Sequence, residues 1–374
     1  MTLKKYGRSK TLPKTDTNEK IYKVLAINPG STSTKLAVYE NGQLVVEDVV
    51  RHETNEFDDC PTLIDQKPRR MECLMEFLRQ NDISLAGLSA VVGRGGLLKP
   101  IDSGTYAVNE DMLKDLAAGI HGVHASNLGA IIAEEIGRQQ GVPAFIVDPV
   151  AVDELEPAAR LSGLPGLDRR SLFHALNAKA MARHCARELG LQYEDARFVV
   201  AHLGGGITIG AHRYGRVIDV NDGIAGEGPF TPERSGAVPL YKIIELCFSG
   251  QYSKQEIKDM VSKQGGMKAY LGMHDLPKVE KMIQQGDEHA ALVVEAMAYQ
   301  IAKEIGAMVT VLEGRVHAII LTGGLAYSTR FTGAIKQRVD KLAPVMTYPG
   351  ENELEALAQG ALRVLRGEER AKTY

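Results

Sequence analysis

The chain has 374 residues, 44% hydrophobic and 24% charged, with a formal net charge of −3; it is long enough for two cores and lacks the basic excess that nucleic-acid binding calls for. Cys60, Cys73, Cys185 and Cys247 show no Cys-x-x-Cys spacing, which argues against a zinc site or a disulfide framework and for reduced thiols in the cytoplasm. No apolar run approaches the roughly 18 residues of a membrane span, and residues 1–20 lack the apolar core of a signal peptide, so they read as a flexible tail.

From there the pattern alternates strands and helices, an α/β arrangement. An apolar β-branched run opens at Val24, breaks at Gly30-Ser31-Thr32-Ser33, resumes to Val38, turns at Asn41-Gly42 and enters a third strand at Gln43–Val49. Periodicity then predicts helices over Gln66–Gln80, Asn109–Gly119 and His124–Gln140, with strands at Leu88–Val92 and Phe145–Val147. After Asp148-Pro149 comes a predicted helix at Ser171–Leu189, and then the opening pattern returns. Val199–Leu203 breaks at Gly204-Gly205-Gly206, resumes at Ile207, turns at Tyr214-Gly215 and enters a strand at Arg216–Val220. Further helices are expected at Val238–Phe248, Lys254–Ser262, Glu288–Leu312, Thr329–Leu342 and Glu353–Leu365, with a strand at Val316–Leu321 stopped by a third glycine turn, Gly323-Gly324.

A glycine-rich bend between two strands is most often a plain hairpin. Written twice, it implies two similar halves with a cleft between them. Glycines allow close backbone N–H approach, and Ser31, Thr32, Ser33 and Thr208 add hydroxyl donors, so an anion such as a polyphosphate would find convergent partners. Neither copy is a Gly-x-x-x-x-Gly-Lys-Ser/Thr loop or a Gly-x-Gly-x-x-Gly fingerprint, which excludes the usual P-loop and dinucleotide sites.

Asn28-Pro29-Gly30-Ser31-Thr32-Ser33-Thr34-Lys35, Val92-Gly93-Arg94-Gly95-Gly96, Leu172-Phe173-His174-Ala175, His202-Leu203-Gly204-Gly205-Gly206, Pro232-Glu233-Arg234-Ser235-Gly236, Thr322-Gly323-Gly324 and Pro349-Gly350-Glu351-Asn352-Glu353-Leu354 together resemble the acetate kinase superfamily, and within it the butyrate kinases. The resemblance runs in order from about Ile21 to about Gly367. It implies a duplicated actin-like (ribonuclease H-like) fold, two domains with a nucleotide cleft between them: residues 21–149 plus 355–374 in one, 150–354 in the other, hinged just after Asp148, with the last helix returning to the first domain. It also implies a homodimer or higher homo-oligomer and phosphoryl transfer between ATP and a short-chain carboxylate, giving ADP and an acyl phosphate with Mg²⁺. Acetate kinases carry His-Arg-Val-Val-His-Gly-Gly where this chain has Ser89–Gly96, so their two histidines are not reproduced and Arg94 alone supplies a cation.

The resemblance assigns roles residue by residue. A carboxylate attacking a γ-phosphoryl group is already ionised and needs neutralised charge more than a base. Arg234 and Arg94 would brace the carboxylate or the phosphoryl oxygens, although a loop arginine is otherwise a surface residue. His174 would donate to the transferring phosphoryl group, its plain alternative being a buried core histidine. Asn28, Ser31, Ser33, Lys35, His202 and Gly204–Gly206 would hold phosphates, while Gly323, Gly324, Leu325 and Asp275 would border the adenosine. Asp148, at a strand's carboxyl end, and Glu353, with Asn28, are the Mg²⁺ candidates; Glu351 competes with Glu353, whose alternative role is to complement a helix dipole.

The expected activity is therefore a butyrate or branched-chain fatty-acid kinase acting by direct in-line transfer. An acetate or propionate kinase, a sugar-alcohol kinase of the same fold, and a nucleotide-dependent switch protein are the alternatives. A sugar-alcohol kinase would need a general base for its hydroxyl acceptor.

Overall fold

Asn41 and Gly42 have φ of 49° and 89°, and Tyr214 and Gly215 have 52° and 81°. Both central residues of each turn are left-handed, as a two-residue primed turn requires. Around them the hairpins repeat to the bulge: register slips between Val38 and Tyr39 and again between Ala211 and His212, in each case two residues before the turn. The computed structural model describes residues 20–31, 33–53 and 56–374; the expected tail lies outside the described residues except for Lys20, as does Thr32.

Each hairpin set seeds one sheet. The first holds β1 (Lys23–Pro29), β2 (Ser33–Glu40), β3 (Gln43–Arg51), β4 (Ala90–Arg94), β5 (Thr105–Ala107) and β6 (Ala144–Val147), in the order β3-β2-β1-β4-β6-β5. The second holds β7 (Arg197–Leu203), β8 (Ile207–Arg213), β9 (Arg216–Val220), β10 (Ala318–Gly323) and β11 (Val345–Pro349), in the order β9-β8-β7-β10-β11. In both, an antiparallel hairpin leads into parallel strands, so the duplication read from the sequence is a duplication of topology. Asn28 pairs across its hairpin with Lys35, and His202 pairs with Thr208. The two pairs stand at corresponding positions of the two halves.

The helices are α1 (Lys67–Gln80), α2 (Glu110–Ala118), α3 (Asn127–Gln140), α4 (Pro157–Arg160), α5 (Ala175–Glu188), α6 (Leu240–Phe248), α7 (Lys254–Ser262), α8 (Gly266–Leu271), α9 (Leu276–Gln284), α10 (Glu288–Val311), α11 (Thr329–Val339) and α12 (Glu353–Leu365). On the outer faces, Leu25, Ile27 and Leu36 pack on Leu74 and Phe77 of α1 and Leu128 of α3, while Val199, Ile209 and Leu321 pack on Met297 and Ile301 of α10. The inner faces carry α12 and α5. Although α12 follows the last strand of the second sheet, its apolar stripe of Leu354, Leu357, Ala361 and Leu362 lies on Val24, Ala26, Val92 and Val147 of the first. Leu176 of α5 joins that cluster, so the two inner helices meet between the sheets. Truncating fully buried Leu357 to Ala would cost about 2–5 kcal/mol.

Two departures from the expected elements matter for the site. The helix predicted from Ser171 begins only at Ala175, because His174 has φ −78° and ψ 60° and Ala175 N–H bonds back to Phe173 O at 2.8 Å; His174 is therefore an N-cap residue rather than a mid-helix one. The strand predicted over Leu88–Val92 runs instead from Ala90 to Arg94, which puts Arg94 at its carboxyl end. A Cβ on Gly93 would collide with the Gly129 carbonyl, so helix α3 lies backbone to backbone against this strand and only glycine fits there.

Candidate functional site: a cationic cleft between the two glycine loops

The first loop closes with Gly30 N–H donating to Ser33 O at 2.7 Å, the second with Gly204 N–H donating to Gly206 O at 3.2 Å. Both lie at the ends of central strands, where parallel sheets present their ligand sites. Asn28, 4% exposed, is the penultimate residue of β1 and donates from Nδ2 to Glu353 Oε2 at 2.6 Å. Arg94, on the neighbouring strand, donates to both carboxylate oxygens of Glu353, at 2.7 and 2.8 Å, and its Nη1 lies 3.5 Å from Asn28 Oδ1. Glu353, the first residue of α12, is itself 4% exposed. Three sequence-predicted residues from three distant segments thus form one buried cluster on the first half.

The second half contributes an imidazole pair. His202 lies opposite Thr208, one residue before the end of β7, and its Nδ1 lies 2.9 Å from Asn177 Oδ1. His174 Nδ1 lies 3.1 Å from Thr208 Oγ1, and the two rings stack with centroids 3.8 Å apart. Burial, reinforced by His202, Arg94 and Arg234, holds His174 well below the ordinary histidine range, so it is neutral at pH 7. The loop carrying Arg234 is tied to the second glycine turn through Thr231. That hydroxyl donates to Gly205 O at 2.7 Å and accepts from Arg234 N–H at 3.0 Å. Arg234 Nη1 donates to Gly223 O, and a Cβ on Gly206 would collide with its guanidinium. The missing side chain of Gly206 is the space the arginine fills.

Glu351 bridges the halves. Its Oε1 lies 3.2 Å from His202 Nε2, and contact with His202, aided by Lys35 and Arg94 from the first half, holds its carboxyl down to about 2. Lys35 is half-buried and Ser31 exposed. At the third glycine turn, Gly323 has φ 91° and a Cβ there would strike the Leu203 backbone, so β10 passes tightly against β7. Beyond it a Cβ on Gly324 would meet open space and Leu325 packs partly on the second core.

Two predicted residues are committed elsewhere. Asp148, 2% exposed, accepts from Gly104 N–H at 2.8 Å and pairs with Arg183 at 3.3 Å; it borders a separate groove of about 450 Å³ alongside Arg183 and Tyr193, and shares no hydrogen bond with the Asn28 cluster. Asp275 caps α9, accepting from Lys278 N–H at 3.1 Å. A hard cation of the Mg²⁺ kind takes one or two carboxylates and fills its octahedron with water and phosphate oxygens; Glu353 and the Asn28 amide oxygen, both also in contact with Arg94, are oxygens of that kind beside the first glycine loop, whereas Asp148 borders the separate groove. Asn177 and Thr231 position the site yet were not read from the sequence. The signal for Asn177 was its place one turn after His174 on a helix that buries it.

This arrangement gathers two arginines, a lysine and a stacked histidine pair around glycine backbone, with Glu353 on the first half and Glu351 beside the second glycine loop. Such a cleft neutralises a polyanion and orients a phosphoryl group. Residues 166–342 match the model of the Acetokinase family. Over nearly the whole chain the fold is that of solved relatives. The acetate kinase of Porphyromonas gingivalis superposes with a TM-score of 0.77 at 20% identity, covering 92% of this chain and 100% of its own. A propionate kinase from Francisella tularensis subsp. tularensis SCHU S4 gives 0.71 at 21%, covering 90% and 98%. The acetate kinase of Entamoeba histolytica gives 0.71 at 17%, covering 91% and 99%. The two-sheet, actin-like fold expected from the motifs is the fold of this chain. The acetokinase-matched segment contains His174, His202, the second glycine loop, Arg234 and Gly323, which is the whole of the second half's contribution to the cleft except Glu351.

Proposed function

We propose that this protein is a short-chain fatty-acid kinase that transfers the γ-phosphoryl group of ATP reversibly and in line to butyrate or a branched four- to five-carbon acid, giving ADP and the acyl phosphate. The observation that carries this reading is the convergence of Arg234 and the stacked His174–His202 pair on the second glycine loop, with Arg94 held on Glu353 and Asn28 at the end of the first. A carboxylate acceptor brings its own negative charge, so cations and hydrogen-bond donors are what the transfer needs. Arg234 would bind the phosphoryl or carboxylate oxygens, His174 would donate to the phosphoryl group, and Asn28, Lys35 and the glycine loops would hold the phosphates. Glu353 and Asn28 are the residues we assign to Mg²⁺, which when bound neutralises phosphate charge. Gly323, Gly324 and Leu325 would border the nucleoside.

The matched family and the fold support a carboxylate kinase; the choice of butyrate over acetate rests on the Ser89–Gly96 segment, where the acetate-kinase histidines are replaced. We also assign a homodimer, with α6 as its surface: Leu240, Tyr241, Ile244 and Phe248 are 65%, 82%, 45% and 87% exposed on one short helix, more apolar area than a solvated helix usually shows. Cytoplasmic location is part of the same reading; among the described residues no helix is long and apolar enough to cross a membrane. The test is a hydroxylamine trap with Mg-ATP and acetate, propionate, butyrate, isobutyrate or glycerol. Hydroxamate strongest with the four-carbon acids is the expected result; ADP release with glycerol and no hydroxamate would overturn it.

A further inference from the structure

The carboxylate of Glu351 lies on the second glycine loop. A Cβ built on Gly204 would be 3.6 Å from Glu351 Oε1 and 3.2 Å from His202 Nε2, and those two atoms are themselves 3.2 Å apart. His202 is 1% exposed, its Nδ1 is taken by Asn177, and its buried Nε2 has no aligned hydrogen-bond partner among the described residues. The Glu351 carboxylate is the charged group that lies beside it, at 3.2 Å. Lys35 and Arg94 reach the same oxygens electrostatically from the opposite half. An anion over glycine backbone, beside an imidazole and toward cations of the opposite half, is in the surroundings that a phosphate of the nucleotide would require.

We propose that Glu351 is an internal stand-in for a nucleotide phosphate, and that its carboxylate must turn out of the cleft before a nucleoside di- or triphosphate binds. The inference rests on the reading of this cleft as a nucleotide site and adds a residue that sets nucleotide affinity. The flanks of Glu351 are fixed. Gly350, with φ 95°, exchanges two hydrogen bonds with Gly323, at 3.0 and 3.1 Å, and Glu353 is clamped by Asn28 and Arg94. Between those anchors the side chain of Glu351 is 35% exposed, so the release is a rotation of one side chain toward solvent rather than an opening of the chain. Two anions within a few ångströms repel, so the carboxylate and the phosphate exclude one another from the loop.

The experiment is calorimetric titration of ADP, and of adenosine as a phosphate-free control, into the full chain and its Glu351→Gln and Glu351→Ala variants without Mg²⁺, each variant first checked for an unchanged thermal unfolding transition. Both variants are expected to bind ADP on the order of tenfold more tightly, the scale of one like-charge contact at a partly exposed site, with adenosine affinity unchanged. ADP affinity unchanged or weakened in both variants would overturn the inference while leaving the nucleotide reading intact; a weakened value would make Glu351 a nucleotide or metal ligand instead. Failure of all three proteins to bind either ADP or adenosine would overturn the nucleotide reading itself, and the inference with it.

Discussion

The imidazoles of His174 and His202 lie face to face, 3.8 Å apart and within 9° of parallel, although they come from different elements of the second half. Burial, reinforced by His202, Arg94 and Arg234, holds His174 well below the ordinary histidine range. A second positive charge on His174 would meet burial, a neighbouring imidazole and two guanidiniums together. The ring is therefore a neutral donor, suited to stabilising charge that develops on a phosphoryl oxygen and unsuited to acting as a stored acid.

That neutrality sets a pH dependence. Both His174, held well below 6.5, and His212, buried and lowered to about 3, bind a proton more readily in the unfolded chain. Their contribution to stability is complete above pH 6.5 and is lost progressively as pH falls below it. Thermal unfolding followed from pH 7.5 to 5 should show a falling Tm, with a shallower slope in His212→Gln.

Glu353→Gln removes the charge partner of Arg94 and one oxygen donor of the Asn28 cluster. A stability loss of about 1–3 kcal/mol is expected, the range for unpairing a mostly buried charged hydrogen bond. Urea unfolding reports that loss, and a Mg²⁺ titration of turnover should require more metal for half-maximal rate.

Gly206→Ala and Gly93→Ala should separate chemistry from folding. At Gly206 the new methyl meets the movable end of Arg234, so stability should change by less than about 1 kcal/mol while kcat falls by up to about a hundredfold, the scale of an ångström of misplacement. At Gly93 the methyl meets the backbone of Gly129, which cannot yield without moving α3. That variant should lose several kcal/mol, about 3 or more, in chemical denaturation.

Much of this was legible in the chain itself. The repeated hairpins announced themselves through Asn41-Gly42 and Tyr214-Gly215, where a glycine between two apolar runs marks the turn, and α12 was readable to its ends because its stripe is periodic. Short elements such as β5, β11 and α8 were not, since three to six residues give no period to count. For the site, Asn28, Arg94 and Glu353 lie in one cluster and His174, His202 and Arg234 lie about the second glycine turn. Asp148 and Asp275 illustrate the limit: a carboxylate at a strand end or a helix start has local partners, here Gly104, Arg183 and the Lys278 amide, and only the folded chain shows that these already occupy it. Asn177 and Thr231 act through hydrogen bonds to residues 25 and 26 positions away, which no local pattern encodes.

In the proposed reaction Arg234 and the glycine loops hold a phosphoryl group in transit between a nucleotide and a carboxylate. The most direct measurement is ³¹P NMR of ADP and butyryl phosphate with Mg²⁺, comparing the unaltered protein with Arg234→Ala. ATP should form with the unaltered protein and be slowed by about 10²–10³-fold in a variant that unfolds at the same temperature, the cost of one lost transition-state donor. ATP formation at the same rate in both, or none in the unaltered protein, would contradict the account.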